Sequence, residues 1–146
     1  GRLARGKAEG VAARPPAAIV LAADTVVALG RRLLEKPADE AEARRFLELL
    51  SGRNHRVFTG VVVIADGQTT CRVVDTRVSF KTLSPEEIAA YVASGEWRGK
   101  AGGYGIQGAA AAFVRRIVGS HPAVMGLPLY EAANLLRGAG WRPRIA

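Results

Sequence analysis

The stretch "HRVFTGVVVIADGQTTCRVVDTRVSF", residues 55–80, decides the fold. Two runs rich in β-branched and aromatic residues meet across Asp66-Gly67. Asp-Gly between two such runs is a strong short-range signal for a tight β-hairpin, because the favoured two-residue turn needs positive φ at both central residues. The spacing predicts strands over 55–65 and 69–80.

Helices and strands alternate around this hairpin. "VLAADTVVAL" (20–29) belongs to an apolar strand predicted over 17–29, which "ARPP" (13–16) separates from an initial helix-like piece. "KPADEAEARRFLELLSG" (36–52) reads as a helix. Ala43, Phe46, Leu47 and Leu50 fall at i, i+3, i+4 and i+7, Asp39 and Glu42 form a capping-box variant, and Gly52 is a stop. In "SPEEIAAYVASG" (84–95), Ser84 caps, Pro85 takes the first helical position, and Gly95 ends the helix. "LPLYEAANLLRGAG" (127–140) repeats the pattern on Leu129, Ala132, Ala133 and Leu136. "AAFVRRIVG" (111–119) and "PAVMGL" (122–127) read as two further strands. The expected class is α/β with a mixed sheet and at least one antiparallel hairpin.

The chain has 146 residues, a length that suits one domain, and 49% of them are hydrophobic, as in ordinary globular proteins. The longest clean apolar run, "AAIVLAA" (17–23), is far short of the roughly 20 residues of a membrane span. One cysteine, Cys71, forms no internal disulfide, which fits a reducing compartment and a cytoplasmic location. Net charge is +8, which suits a polyanionic partner, either nucleic acid or a nucleotide. No basic stretch is interleaved with aromatics, which argues against a nucleic-acid platform.

Asp24 and Thr25 stand in the middle of the apolar strand. Burying a carboxylate there is costly unless it is paired. Neighbouring strand residues point to opposite faces, so the two would address different sides. On the residues alone Asp24 is either a strand-end acid that caps a backbone amide or an acid kept there for chemistry. Lys36 in "LEKPAD" and Lys7 in "RGKAEG" read in isolation as solvated charges. His55 and His121 form no metal pair with a cysteine and read as loop or strand-start histidines. "KAGGYGIQG" (100–108) lets backbone approach a ligand closely, and Gln107 within it presents a carboxamide suited to a base edge. It is not a GxGxxG opening a helix, and no Ser-His-Asp set, P-loop or HExxH is present. One acid, two lysines, a hydroxyl, a glycine-rich turn and a glutamine suit a phosphorylated ligand.

In order and spacing, "GKAEGVA", "ADTVV", "EKP", "LSGRNHRVFTGV", "LSPEEIAAYVASGE", "KAGGYGIQG" and "GSHPAVMGLPL" resemble the Maf family of nucleoside triphosphate pyrophosphatases, over nearly the whole chain. The resemblance implies an elongated mixed sheet flanked by helices, with two lobes around a cleft, and a single domain over 1–146 that is N-terminally incomplete. It implies attack of water on the α-phosphorus with a divalent cation, Mg or Mn, and release of a monophosphate and pyrophosphate. By this resemblance Asp24 is the catalytic acid and a candidate metal ligand, and Lys7 and Lys36 meet the triphosphate. Thr25 and Gln107 match the dTTP/UTP branch rather than the branch acting on 7-methyl-GTP. The implied partner is a nucleoside triphosphate, with a homodimer among the assemblies allowed. The family opens with a Ser-x-Ser-Pro-Arg-Arg loop, and this chain begins downstream of it, so residues 1–146 alone are expected to be a weak enzyme. The competing expectations are a 7-methyl-GTP enzyme and an impaired remnant that binds nucleotide or nucleic acid.

Overall fold

The computed structural model describes residues 19–141. Five strands form one sheet in the order β2-β1-β3-β4-β5. They are β1 (Val20–Leu29), β2 (Arg32–Leu34), β3 (Asn54–Ala65), β4 (Gln68–Phe80) and β5 (Val114–Val118). Among the described residues four α-helices accompany them: α1 (Glu40–Leu50), α2 (Pro85–Ser94), α3 (His121–Val124) and α4 (Leu129–Gly138). The α/β class is as expected. A mixed sheet was expected as well, and among the described residues all four strand pairings are antiparallel.

The β3–β4 hairpin turns at Asp66 and Gly67, whose φ angles of 50° and 76° are the two positive values the tight turn needs. Its register runs from Ala65↔Gln68 to Asn54↔Ser79 without interruption. β2 had no sequence signal. It is three residues long, two of them exposed, and it returns from β1 through Gly30 and Arg31, with Gly30 at φ 60°.

Helix α1 starts later than the run that predicts it. The Asp39 carboxylate accepts the Glu42 N–H at 2.8 Å, which caps the helix there and leaves Lys36 and Pro37 in the preceding loop. Helix α2 keeps its full capping box. Ser84 Oγ accepts from Glu87 N–H, the Glu87 carboxylate accepts from Ser84 N–H, and Gly95 closes the helix in the left-handed conformation.

Two predicted strands are corrected. The run 111–119 is strand only over β5, because Ala109–Phe113 coils into a 3₁₀ turn. The run 122–127 is not a strand. Ser120 Oγ accepts the Ala123 N–H, and Pro122 occupies the first turn of α3, so the chain coils where its apolar pattern suggested extension. The apolar face of α4 is also shifted. Ala132 and Leu135 are its buried residues, and Leu129 is 59% exposed.

Most of the core sits on one face of β3 and divides along it, while Val62 and Ile64 pack with Val20 on the other face. Val57 packs with Val27, Val78 and Phe80 against Phe46, Leu47 and Leu50 of α1 and Ile88, Tyr91 and Val92 of α2. Farther along the same face, Val61 and Val63 pack against Ala132 and Leu135 of α4. Fully burying a Leu or Phe side chain contributes about 1.5–3 kcal/mol, so both patches hold their helices firmly. Between the patches the same face carries Thr59, directly opposite Thr25 of β1. Here polar side chains interrupt the apolar stripe, and a cleft opens.

Candidate functional site

Ala23, Asp24 and Thr25 of β1, Val57 of β3, Lys36 of the β2–α1 loop, the segment Gly99–Ala101, and Tyr104, Gly105 and Gln107 surround a cavity of about 220 Å³. Val124, Met125 and Gly126 close its other side. A second cavity of about 500 Å³ adjoins it, lined by Val26, Leu33, Leu34 and Glu35 together with Asp24, Thr25, Lys36 and Ala101. Asp24, Thr25, Lys36 and Ala101 therefore stand where the two spaces meet. Ligand pockets typically span about 300–1,000 Å³, and the joined cleft is of that order.

Strand alternation puts Asp24 and Thr25 on opposite faces, yet both line both cavities. The reason is the uncovered edge of β1. β2 pairs only with Val27–Leu29, so among the described residues no strand covers the outer edge of β1 before Val27. Asp24 uses that edge: its Oδ1 accepts the Thr25 N–H at 3.0 Å. The strand-cap reading and the cleft reading of Asp24 are thus compatible, since the carboxylate does the first while reaching the second.

Thr25 is placed by a relay of hydroxyls. Thr59, fully buried, donates its proton to the Ala123 carbonyl at 2.7 Å. Thr59 Oγ1 is then left to accept from Thr25 Oγ1, 3.4 Å away. Thr76 Oγ1, also fully buried, accepts the Ser120 N–H at 3.2 Å. The two buried threonines thus anchor both ends of the α3 turn that forms one wall of the cleft. Burial of a hydroxyl is tolerated because each is hydrogen-bonded.

The opposite wall is the glycine-rich segment. Gly102 (φ 73°) and Gly103 (φ 79°) form a 3₁₀ turn over β1. A Cβ at Gly102 would lie 3.0–3.1 Å from three atoms of the Val27 side chain, so only glycine lets the segment approach this closely. The Gly102 N–H donates to the Glu35 carbonyl at 3.2 Å, which ties the segment to the loop carrying Lys36.

The structure brings Asp24, Thr25, Lys36 and Gln107 together around one cavity. Lys7 lies outside the described residues. Lys100 also lines the cavity, and the sequence reading did not assign it a role. Both its aliphatic stem and Gln107 Oε1 lie beside Gly105, within 3.4–3.7 Å of where a Cβ would project. Its signal was its place at the head of "KAGGYGIQG".

His55 stands at the start of β3, as expected, and is buried there. It is 2% exposed, its Nε2 is 2.6 Å from Tyr104 Oη, and its ring meets Phe80 and Tyr104 edge-on at 5.1 and 5.5 Å. Burial disfavours its charged form and pushes its pKa down to about 4. It stands behind the cavity wall.

A family profile described as "Maf-like protein" matches residues 1–139. The chain belongs to the Maf-like protein family. A protein of Caulobacter vibrioides called "dTTP/UTP pyrophosphatase" is 60% identical over 143 residues, which are 97% of this chain and 74% of that protein. Relatives with the same name from Maricaulis maris and Zymomonas mobilis are 64% and 59% identical. These matches cover 85% and 96% of this chain, and 60% and 70% of the relatives.

Proposed function

We propose that this chain hydrolyses dTTP and UTP to the nucleoside monophosphate and pyrophosphate, in the cytoplasm. The observation that carries the reading is the convergence of Asp24, Thr25, Lys36 and Gln107, from three separate segments, on one cavity. The names of relatives at about 60% identity point the same way.

In this reading Gln107 meets the base. Its carboxamide accepts from N3–H and donates to O4 of uracil or thymine. Lys36 and Lys100 balance the triphosphate charge, and Lys7 does the same from its own segment. Asp24 takes a proton from a water molecule as the water oxygen bonds to the α-phosphorus. The bond from that phosphorus to the bridging oxygen breaks, and its electrons leave with pyrophosphate.

Maf pyrophosphatases depend on a divalent cation. Among the described residues no three His, Cys, Asp or Glu side chains are grouped to hold one. The carboxylates that line the cleft are Asp24 and Glu35. This sparse donor set fits Mg²⁺ or Mn²⁺ shared with substrate oxygens, as hard cations are commonly bound through one or two carboxylates plus phosphates. Held by Asp24, such an ion would supply charge neutralisation at the phosphates.

The test is a side-by-side hydrolysis assay with UTP, dTTP, GTP and 7-methyl-GTP, with Mg²⁺ and with chelator. The reading expects pyrimidine substrates to be preferred and the chelator to abolish turnover. Preference for 7-methyl-GTP would overturn the branch assignment, and nucleotide binding without any turnover would favour a remnant.

A further inference from the structure

Gln107 is carried by a segment with no strand or α-helix to hold it. Ordering a free backbone residue costs about 1–2 kcal/mol, so something outside the segment must fix it. Three ties do so. Tyr104 Oη meets His55 Nε2 at 2.6 Å. The Gly105 N–H donates to Tyr91 Oη at 3.0 Å. The Ala109 N–H donates to the Glu96 carboxylate at 3.0 Å, and that carboxylate occupies the space a Cβ at Gly108 would need. Gln107 lies between the second and third ties, its side chain exposed at the cavity.

Two of the anchors hold the backbone two residues from Gln107, Tyr91 before it and Glu96 after it, and of these Tyr91 is the buried one. It projects from α2, is 2% exposed, and packs edge-on against Phe113 at 5.6 Å. It does not line the cavity. Its phenol hydroxyl supplies the acceptor that a buried Gly105 N–H requires.

We propose that Tyr91 is a positioning residue: through its hydrogen bond to Gly105 it sets where the Gln107 carboxamide stands, and so tunes discrimination among nucleobases. The inference rests on Gln107 as the base reader. Burial raises the Tyr91 pKa, which keeps the phenol neutral at working pH. The purpose of the tie is aim rather than charge. A carboxamide displaced by about an ångström meets neither N3–H nor O4 well, while Lys36, held on another loop, keeps its grip on phosphate.

Tyr91→Phe removes only the hydroxyl and keeps the ring against Phe113. Binding is measured by calorimetry with non-hydrolysable α,β-imido analogues of UTP and GTP, and with inorganic tripolyphosphate. The expected result is about a tenfold loss of affinity for the UTP analogue, with tripolyphosphate affinity unchanged. The preference for UTP over GTP should shrink with it. Glu96→Ala, which frees the exposed end of the segment, should act in the same direction by about threefold and decides the matter if Tyr91→Phe does not fold. Unchanged UTP affinity, or equal losses for the UTP analogue and tripolyphosphate, overturns the inference. Gln107→Ala separates the two layers. If it lowers the preference and Tyr91→Phe does not, only the positioning role fails. If Gln107→Ala leaves the preference intact, the base reading fails and the positioning role falls with it.

Discussion

His55 Nε2 and Tyr104 Oη are 2.6 Å apart inside the core, and the other ring nitrogen of His55, Nδ1, is buried with no hydrogen-bond partner among the described residues. A histidine so placed accommodates the neutral ring and resists the charged one. Protonation would put an imidazolium among Phe80, Tyr104 and apolar side chains, with one N–H unsatisfied.

Stability should therefore fall in mild acid. The folded pKa, about 4, lies below the ordinary 6.5, so the unfolded chain binds the proton first. The contribution is fully present above pH 6.5 and is lost as pH drops through 4, and its ceiling is on the order of 3 kcal/mol. Urea melts of the protein and of His55→Gln between pH 4 and 7 measure it. The parent's midpoint should fall more steeply, and parallel curves would show that His55 is not the source.

Asp24→Asn should lower turnover of UTP by about 10²–10⁴ while nucleotide affinity changes only a few-fold. The amide side chain still has an oxygen for the Thr25 N–H, so the strand edge survives. Steady-state kinetics with direct binding checks both halves, and near-parental turnover would make Asp24 purely structural.

Gln107→Glu should weaken action on UTP and dTTP with little effect on folding, since the side chain is exposed. A carboxylate cannot donate to O4 and repels it. An unpaired polar group in a base pocket costs about 1–3 kcal/mol. Competition between UTP and GTP reads the change, and an unaltered ratio would remove Gln107 from base recognition.

Gly102→Ala should destabilise the fold by about 1–3 kcal/mol and impair the cleft together with it. Positive φ strains any Cβ there, and Val27 leaves no room for one. Thermal melting beside nucleotide binding is the check. A melting temperature at the parental value would mean the turn can move off β1.

Features encoded locally were legible in the sequence. The β3–β4 hairpin announces itself through Asp66-Gly67, and α2 through Ser84, Pro85 and Gly95 within one short run. β2 was not legible because three residues, two of them arginine or exposed leucine, carry no pattern. "PAVMGL" misled because a short apolar run fits a strand or a buried coil equally well. The deciding contacts, Ser120 to Ala123 and Thr59 to Ala123, include one from a distant strand. Motif order singled out Asp24, Thr25, Lys36 and Gln107, which line one cavity. The bonds that Tyr91, Tyr104 and His55 make between segments were not legible, because alone the tyrosines look like ordinary core residues and His55 like a strand-start histidine.

The most direct test of the central claim is the identity of the products. UTP is incubated with the protein and Mg²⁺ in ¹⁸O-labelled water, and the phosphates are resolved by ³¹P NMR. Attack at the α-phosphorus predicts UMP and pyrophosphate in equal amounts, with the label in UMP alone, however slow the reaction. UDP with inorganic phosphate, or label in pyrophosphate, would contradict it.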